Sequence, residues 1–261
     1  MKNLALLCDY GLDDVIATLY LFKYAHKFDK IDIVAVAGNM PLSVTLNNAK
    51  RILTHAGNVP KNLRIVDSSC IKQNCEELYD IHGKDGMGDV LPQSFDEDLP
   101  VIDYSKWLLE VDDSYTLVSL GPCTVTAHIL KTKGSLPLIM MCSNISEAPN
   151  YNGYEFNHGI DPDAFSQCVR FPHKCATLDT CHCGPCDLYG KEIKEDGLFS
   201  QLVLRYRDMC KERNDAYASV YDLTAIVYLL HPERFESYED SNKFGNKITV
   251  LKYISDLPVI E

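Results

Sequence analysis

The stretch NLALLCDYGLDDVIATLYLFKYAHKF, residues 3–28, determines how the whole chain is interpreted. Residues 3–8 form a short apolar run that is typical of a buried strand. Residues 13–28 carry apolar side chains at three- and four-residue intervals, which predicts a helix. A buried strand that leads directly into a helix is the repeating unit of a parallel sheet covered by helices.

The same alternation continues along the rest of the sequence. It predicts an α/β fold with an open, mostly parallel sheet flanked by helices and a Rossmann-like core. No linker or repeat interrupts it, so residues 1–261 are predicted to form a single domain. Two polar segments without periodicity, 68–100 and 143–160, are predicted to be functional loops. The other predicted strands are 31–38, 62–67, 115–120, 136–142, 176–179 and 247–254, and the other predicted helices are 41–57, one that starts at Pro122, 195–212 and 222–230.

Length and charge exclude several classes of function. The chain has 261 residues, with 25 Lys and Arg against 37 Asp and Glu, which gives a formal net charge of −12. Nucleic-acid binding and docking on anionic membranes both need a basic surface, so neither is expected. No apolar run approaches the ~18 residues of a membrane span, and no signal-peptide core is present, which predicts a cytoplasmic protein. The eleven cysteines are therefore expected to be reduced.

Three carboxylates crowd the point where the first strand ends: Asp9, Asp13 and Asp14. The carboxyl ends of parallel strands share one edge of the sheet, where ligands bind. Asp13 and Asp14 have a simple explanation as the N-cap and first turn of the helix. Asp9 precedes the helix, and like charges this close raise one another's pKa unless a cation intervenes. The spacing alone leaves helix capping and a Ca²⁺ or Mg²⁺ site as equal alternatives.

Familiar acidic and phosphate-binding motifs do not account for this stretch. The regular oxygen ligands and closing Glu of an EF-hand are missing, and no Lys-Ser/Thr pair follows the glycine as in a phosphate-binding loop. A phosphotransferase of the haloacid dehalogenase type would carry a second aspartate two residues after Asp9, where this chain has Gly11.

Six short motifs follow one another along nearly the whole chain. They are LCDYGLDD (7–14), VAVAGN (34–39), HGKDGMGD (82–89), TLVSLGPCT (116–124), YEFNHGIDPDAF (154–165) and YDLTAIVYLLHP (221–232). In this order they resemble the motifs of the inosine-uridine-preferring nucleoside hydrolases, whose N-terminal signature is DxDxGxDD. Members of that family are calcium-dependent N-ribohydrolases built on an open, mostly parallel α/β sheet.

The resemblance implies a role for each matching residue. Asp9, Asp14 and Asp222 would be side-chain ligands of Ca²⁺, joined by the backbone carbonyl of Leu120. Asp9 would also act as the general base that takes a proton from the attacking water. The other implied site residues are His82 near the leaving base, and Asp13, Asn39, Met141, Glu155 and Asn157 around the ribose.

The chain departs from the family's pattern at three positions. Leu7 stands where the family usually has its first aspartate, which predicts a looser position for Asp9 or Asp14. Tyr10 replaces the common proline and is expected to project toward the ribose or base. Tyr221 stands where many purine-active members carry a histidine that helps to protonate the leaving base. Its phenol, with an ordinary pKa of about 10, can donate a proton or stack on a base.

The sequence therefore predicts a calcium-dependent hydrolase that cleaves a ribonucleoside to ribose and free base for nucleobase salvage. The chain is shorter than most family members after position 232, in a region that walls the base pocket in relatives. For this reason the resemblance does not specify the preferred base, and a larger base such as that of queuosine is compatible with an opened pocket. The alternatives are a catalytically inactive relative that senses Ca²⁺ and nucleoside, and a phosphatase of the haloacid dehalogenase type. The resemblance also implies a homodimer or homotetramer.

The segment CHCGPC, residues 181–186, concentrates four possible zinc ligands: Cys181, His182, Cys183 and Cys186. Structural zinc normally uses two ligand pairs separated by a longer span, and no second pair follows here. The favoured interpretation is a loop of reduced cysteines, and zinc is the alternative.

Overall fold

One sheet of nine strands organises the described part of the chain. The computed structural model describes residues 2–184, 186–194, 197–255 and 259–260. The strands are β1 (Lys2–Cys8), β2 (Phe28–Ala35), β3 (Leu63–Asp67), β4 (Val101–Asp103), β5 (Tyr115–Ser119), β6 (Leu138–Met141), β7 (His173–Ala176), β8 (Phe235–Ser241) and β9 (Lys247–Tyr253). Their order across the sheet is β4-β3-β2-β1-β5-β6-β7-β9-β8. Neighbouring strands are parallel except β8 and β9, which confirms the predicted sheet.

Helices cover both faces of this sheet. They are α1 (Leu12–Phe22), α2 (Leu42–His55), α3 (Tyr79–His82), α4 (Tyr104–Glu110), α5 (Thr124–Lys133), α6 (Phe156–Ile160), α7 (Pro162–Cys168), α8 (Leu178–His182), α9 (Gly197–Glu212) and α10 (Tyr221–Leu230). Two short 3₁₀ turns lie at Ala25–Lys27 and Pro232–Arg234. Among the described residues, no helix combines the length and the apolar character needed to cross a bilayer.

Alternation along β1 supplies a core to each face of the sheet. Leu4, Leu6 and Cys8 are fully buried in the cluster that also contains the apolar faces of α1, α9 and α10. Ala5 and Leu7 point the other way, into the cluster with α4, α5 and α7. A strand that is buried on both sides has no polar face, which is why its sequence is an almost continuous apolar run.

The predicted helix over 13–28 is too long. The structure ends α1 at Phe22 and starts β2 at Phe28, which pairs with Lys2 of β1. Apolar residues keep the helical spacing beyond Phe22, so the pattern alone does not mark the end. Parallel pairing with β1 takes the residues from 28 onward into the sheet instead.

The predicted strand over 176–179 is wrong, because the strand lies earlier and a helix follows it. β7 occupies His173–Ala176, and α8 begins at Leu178. Thr177 and Thr180 form a reciprocal cap, in which each side chain accepts a hydrogen bond from the other residue's backbone N–H. Such caps start helices. The strand therefore stops at Ala176, although the apolar run ATL continues beyond it.

A buried aspartate on β2 connects the elements on one side of the sheet. Asp32 is fully buried. Its carboxylate accepts from Nε and Nη2 of Arg64 at 2.6 and 2.9 Å, from Nε1 of Trp107 at 2.8 Å and from the hydroxyl of Tyr115 at 2.8 Å. These donors belong to β3, α4 and β5. The charge is therefore compensated by the ion pair with Arg64 and by hydrogen bonds from Trp107 and Tyr115.

We expect Asp32→Ala to lower the free energy of unfolding by roughly 3 kcal/mol, because it strands two buried donors and a partly buried guanidinium. Urea unfolding followed by circular dichroism measures the change. Asp113→Ala, at an exposed position, is the control and should leave the midpoint unaltered. An equal midpoint for both variants would contradict the connecting role of Asp32.

Candidate active site

A cavity of about 350 Å³ opens at the carboxyl edge of the parallel strands. Both polar segments predicted to be functional loops contribute side chains to it. Nine of the eleven predicted site residues line it, and the other two, Asp9 and Asp14, are fully buried beneath. The nine are Asp13, Asn39, His82, Leu120, Met141, Glu155, Asn157, Tyr221 and Asp222.

Four buried carboxylates meet at the floor of this cavity. Asp13, Asp14 and Asp222 each present an oxygen within 4.8 Å of the others. Burial and mutual repulsion raise the pKa of Asp14 and of Asp222 well above the ordinary range, and Asp9 contributes to the repulsion. Oδ1 of Asp13 and Oδ1 of Asp14 are buried without a hydrogen-bond partner in the described residues. Unpaired, negatively charged oxygens that converge in this way suit a hard divalent cation.

Asp9 lies beside these three aspartates and is held by the loop that follows β2. The backbone N–H of Asn39 donates to Oδ2 of Asp9 at 2.6 Å, and Nδ2 of Asn39 donates to Oδ1 at 3.3 Å. Burial raises the pKa of Asp9 to about 7, against the lowering effect of the Asn39 N–H. The tight set of three thus contains Asp13, whereas the predicted metal ligands included Asp9 instead. The predicted ligand set remains a prediction.

The turn between β1 and α1 decides the capping alternative. Gly11, not Asp13, is the N-cap of α1, and its backbone N–H donates to Oδ2 of Asp14 at 2.8 Å. The prediction that Asp13 caps the helix is wrong, while Asp14 does lie in the first turn. Capping uses one carboxylate oxygen of Asp14 and leaves the other for a ligand. Both interpretations of Asp14 are therefore compatible.

His82 faces the cavity as a neutral imidazole. The backbone N–H of Leu12 donates to its Nδ1 at 3.1 Å, which requires a lone pair on that nitrogen. Burial, together with the positive charge of Arg213, lowers the pKa of His82 to about 3. The 3.9 Å separation between His82 Nδ1 and Asp13 Oδ1 is consequently not an ion pair. The remaining proton lies on Nε2, so this side chain is a hydrogen-bond donor.

Comparison with known proteins identifies the family. The sequence model of the family described as inosine-uridine preferring nucleoside hydrolase matches residues 4–250. The chain belongs to this family. Membership confirms the resemblance of the six motifs and the prediction of a nucleoside N-ribohydrolase, which hydrolyses the N-glycosidic bond of a ribonucleoside. The alternative of a haloacid dehalogenase-type phosphatase is wrong.

Curated relatives and solved structures agree with this assignment. The chain is 30% identical to a pyrimidine-specific ribonucleoside hydrolase RihA of Photobacterium profundum, over 97% of this chain and 90% of the relative. It is 29% identical to the RihA of Shewanella woodyi, over 89% and 80%. The plant nucleoside hydrolase PpNRh1 has a similar fold, with a TM-score of 0.75 at 17% identity over 97% of this chain and 95% of that one. An inosine-guanosine nucleoside hydrolase gives 0.73 at 19% identity, over 98% and 89%.

The residues predicted to hold ribose in this nucleoside hydrolase also organise one another. Glu155 is the N-cap of α6, where its carboxylate accepts from the backbone N–H groups of Asn157 and His158, and also from that of Ser143. Nδ2 of Asn157 donates to the carbonyl of Leu120 at 2.6 Å and to that of Met141 at 3.0 Å. A flipped amide would set oxygen against two carbonyls, so this orientation is required.

Sequence reasoning missed the wall of the cavity opposite these residues. Arg213 donates twice to Oδ2 of Asp215, at 2.6 and 3.0 Å, and its Nη1 donates to the carbonyl of Ile81 at 3.0 Å. This link joins the segment after α9 to α3 across the cavity. No helical or strand periodicity marks residues 213–219, so the sequence gives no signal for the link. The other unpredicted lining residues are Leu78, Asn150, Tyr151, Phe156, Tyr206, Cys210 and Tyr217.

Two departures from the family's pattern, Tyr10 and Leu7, are buried and do not line the cavity. The ring of Tyr10 is fully buried in the core beside α1 and does not line the cavity, so the expected contact with ribose or base is wrong. Tyr10 adopts a left-handed backbone, with φ of 39°, in the turn out of β1. Leu7 is buried in the apolar cluster on the other face of the sheet.

The zinc alternative for CHCGPC receives no support from the described residues. All four of its candidate ligands are described, but they do not form a group with metal-binding spacing. Cys181 and Cys186 are buried and Cys183 is exposed, all as free thiols. Sγ of Cys181 donates to the carbonyl of Tyr221 at 3.7 Å.

Gly38 makes room for the carboxylate of Asp9. A Cβ at this position would lie 2.0 Å from Oδ2 of Asp9 and 2.5 Å from Cδ of Pro122. We expect Gly38→Ala to displace Asp9 and to lower kcat/KM by about a hundredfold, the usual effect of a 1 Å misplacement in an active site. Nucleoside hydrolysis by the folded variant tests this.

Gly57→Ala is the control for this experiment. Unlike Gly38, Gly57 has a positive φ, of 73°, but a Cβ there meets nothing within 4 Å. This variant should lose about 1 kcal/mol of stability to backbone strain while keeping its kcat/KM. Equal activity of the two variants would mean that Asp9 tolerates displacement.

Proposed function

We propose that the protein is a calcium-dependent ribonucleoside hydrolase that releases ribose and a free base for nucleobase salvage in the cytoplasm. One observation carries the proposal: Asp13, Asp14 and Asp222 bring carboxylate oxygens within 4.8 Å of one another at the floor of a nucleoside-sized cavity, and one oxygen each of Asp13 and Asp14 is buried without a partner among the described residues. Together with the family's general activity, this points to a cation that acts on the sugar and the attacking water.

The side chains of Asp9, Asp14 and Asp222 would hold the cation, with Asp13 close by. The carbonyl of Leu120 would add a backbone ligand, since it accepts one hydrogen bond from Asn157 and retains a second lone pair. An all-oxygen set of carboxylates and carbonyl fits Ca²⁺, which accepts six to eight such ligands in flexible geometry. When bound, Ca²⁺ supplies Lewis acidity that makes a water easier to deprotonate and neutralises the crowded acids.

Asp9 acts as the general base in this proposal. Asn39 holds the carboxylate of Asp9 in place, and burial raises its pKa to about 7. A general base works best at neutral pH when its pKa lies in this range. Asp13, Asn39, Glu155 and Asn157 would hold the ribose hydroxyls, with Met141 beneath the sugar. Because the sugar and the general base are both held in place, the attack on the sugar becomes a step within one complex.

The leaving base would lie against the aromatic wall of the cavity. Tyr151, Phe156, Tyr217 and Tyr221 offer rings for stacking, and His82 offers a neutral N–H donor.

Because the RihA relatives are named as pyrimidine-specific, we take uridine and cytidine as the first substrates to test. Queuosine remains a further candidate. The resemblance also supports a homodimer or homotetramer, which sedimentation of the purified chain would measure.

A nucleoside panel tests the proposal. Purified protein should release reducing sugar from a pyrimidine nucleoside with Ca²⁺ and not after chelation, and Mg²⁺ should restore less activity. The panel contains uridine, cytidine, inosine, guanosine and queuosine. Tight calcium-dependent binding of a nucleoside without release of ribose would instead support the inactive sensor.

We expect Asp9→Asn to lower kcat by about 10²–10⁴, the contribution of a positioned general base. The amide oxygen can still accept from the N–H of Asn39, so the fold should change little, and Ca²⁺ is kept saturating because Asp9 is also a proposed metal ligand. Turnover and equilibrium binding of the same nucleoside distinguish the two effects, with exposed Asp113→Asn as the charge-matched control. Turnover like that of the unsubstituted protein would remove Asp9 as the base.

A further inference from the structure

A carboxylate, an imidazole and a phenol lie in series behind one wall of the cavity. Tyr221 is the first residue of α10 and lines the cavity. Its hydroxyl is 3.2 Å from Nε2 of His182, at the end of α8. Nδ1 of His182 is in turn 3.0 Å from Oε2 of Glu147, a contact at ion-pair distance without full hydrogen-bond alignment. The series therefore runs from a half-exposed acid to a phenol that faces the substrate.

The imidazole is fixed between aromatic rings. Its ring stacks on Tyr217, with centroids 4.0 Å apart and planes at 11°, and meets the Tyr221 ring edge-on at 5.8 Å. The side chain of His182 is 10% exposed and, in the described chain, is not part of the cavity lining. It can thus influence a substrate only through the tyrosines in front of it.

One helix places both the imidazole and its carboxylate. Asp179, three residues before His182 on α8, accepts hydrogen bonds from the backbone N–H groups of residues 145–147. Although burial opposes it, these donors lower the pKa of Asp179 below its ordinary value. The loop that carries Glu147 is therefore attached to the same helix as His182, and their separation is set locally.

Each ring nitrogen of His182 faces one oxygen. Nε2 faces the hydroxyl of Tyr221, and Nδ1 faces the carboxylate of Glu147. A phenol that gives its proton to a substrate needs a donor from which to recover one. The imidazole is the group placed to supply it.

We infer that Glu147 and His182 form a relay that positions the Tyr221 hydroxyl and replaces its proton as the nucleobase leaves. The inference rests on the proposed function and extends it to the leaving-group side. In the active form, His182 is an imidazolium that donates Nε2–H to the phenol oxygen and faces Glu147 through Nδ1–H. The phenol hydrogen is then free to point at the base.

Each proton and electron pair has a destination in this series of reaction steps. The glycosidic C–N bond breaks and its electron pair stays on the base nitrogen, which takes the proton of the Tyr221 hydroxyl. The phenol oxygen takes the proton from Nε2 of His182. The imidazole becomes neutral and regains a proton from solvent through the half-exposed side of Glu147. Glu147 and His182 are positioning residues, and Tyr221 is the group that touches the base.

Two substrates with different leaving groups test the relay. A pyrimidine nucleoside needs its base protonated, whereas 4-nitrophenyl riboside releases a stable phenolate without help. Tyr221→Phe, His182→Gln and Glu147→Gln should each lower kcat/KM for the nucleoside, by about 10²–10⁴ for the tyrosine and by a smaller factor for the other two. All three should alter nitrophenyl riboside turnover by less than about threefold, which is far smaller than the loss expected for the nucleoside with Tyr221→Phe. Tyr221→Phe combined with His182→Gln should be no worse than Tyr221→Phe alone, because residues that act as a unit are not additive.

A second tyrosine–histidine pair supplies the matched control. The hydroxyl of Tyr104 lies 2.8 Å from Nδ1 of His128, away from the cavity. Tyr104→Phe and His128→Gln should therefore leave both substrates unaffected.

The outcomes separate the relay from the proposed function. Nucleoside turnover unchanged by His182→Gln, or an equal loss on both substrates, would overturn the relay while hydrolysis itself stands. Failure of the unsubstituted protein to cleave either substrate would overturn the proposed function, and the relay with it.

Discussion

Repulsion among four buried carboxylates is the constraint around which the site is built. Asp9, Asp13, Asp14 and Asp222 come from the end of β1, the first turn of α1 and the first turn of α10. The protein tolerates them by giving some oxygens backbone donors and leaving others unpaired for a cation. Gly38 lies so close to Asp9 that any side chain there would displace it. The arrangement explains why acids crowd one strand end.

Much of the fold could be predicted because burial on both faces leaves a plain signal. Continuous apolar runs identified β1, β2, β5 and β6, and helical spacing identified α2 and α10. Errors arose where a tertiary contact overrides the local pattern. Pairing with β1 takes residues from Phe28 onward into the sheet, and the Thr177–Thr180 cap turns an apolar run into a helix. β8 gave no signal, since only its first residue is buried.

The candidate site divides in the same way. The acids and the ribose side fall in motifs with fixed spacing, and the structure gathers them at one cavity. The proposed base side depends on single residues from separate loops, such as Arg213, Asp215 and Glu147, whose neighbours show no periodicity. The sequence suggests His182 as a possible zinc ligand, while its structural partner is a tyrosine 39 positions away. Contacts of this kind exist only after the chain has folded.

The two edges of the sheet limit how copies of the protein can associate. β4, at one edge, has three residues, and β8, at the other, exposes Glu236, Glu239 and Asp240 along its length. Very short and strongly acidic edge strands resist pairing with another strand, because the available hydrogen bonds are few or the approaching charges repel. A second copy would therefore not extend the sheet. Subunits that assemble must meet through helices or loops, which leaves the strand register of each protomer independent of its neighbour.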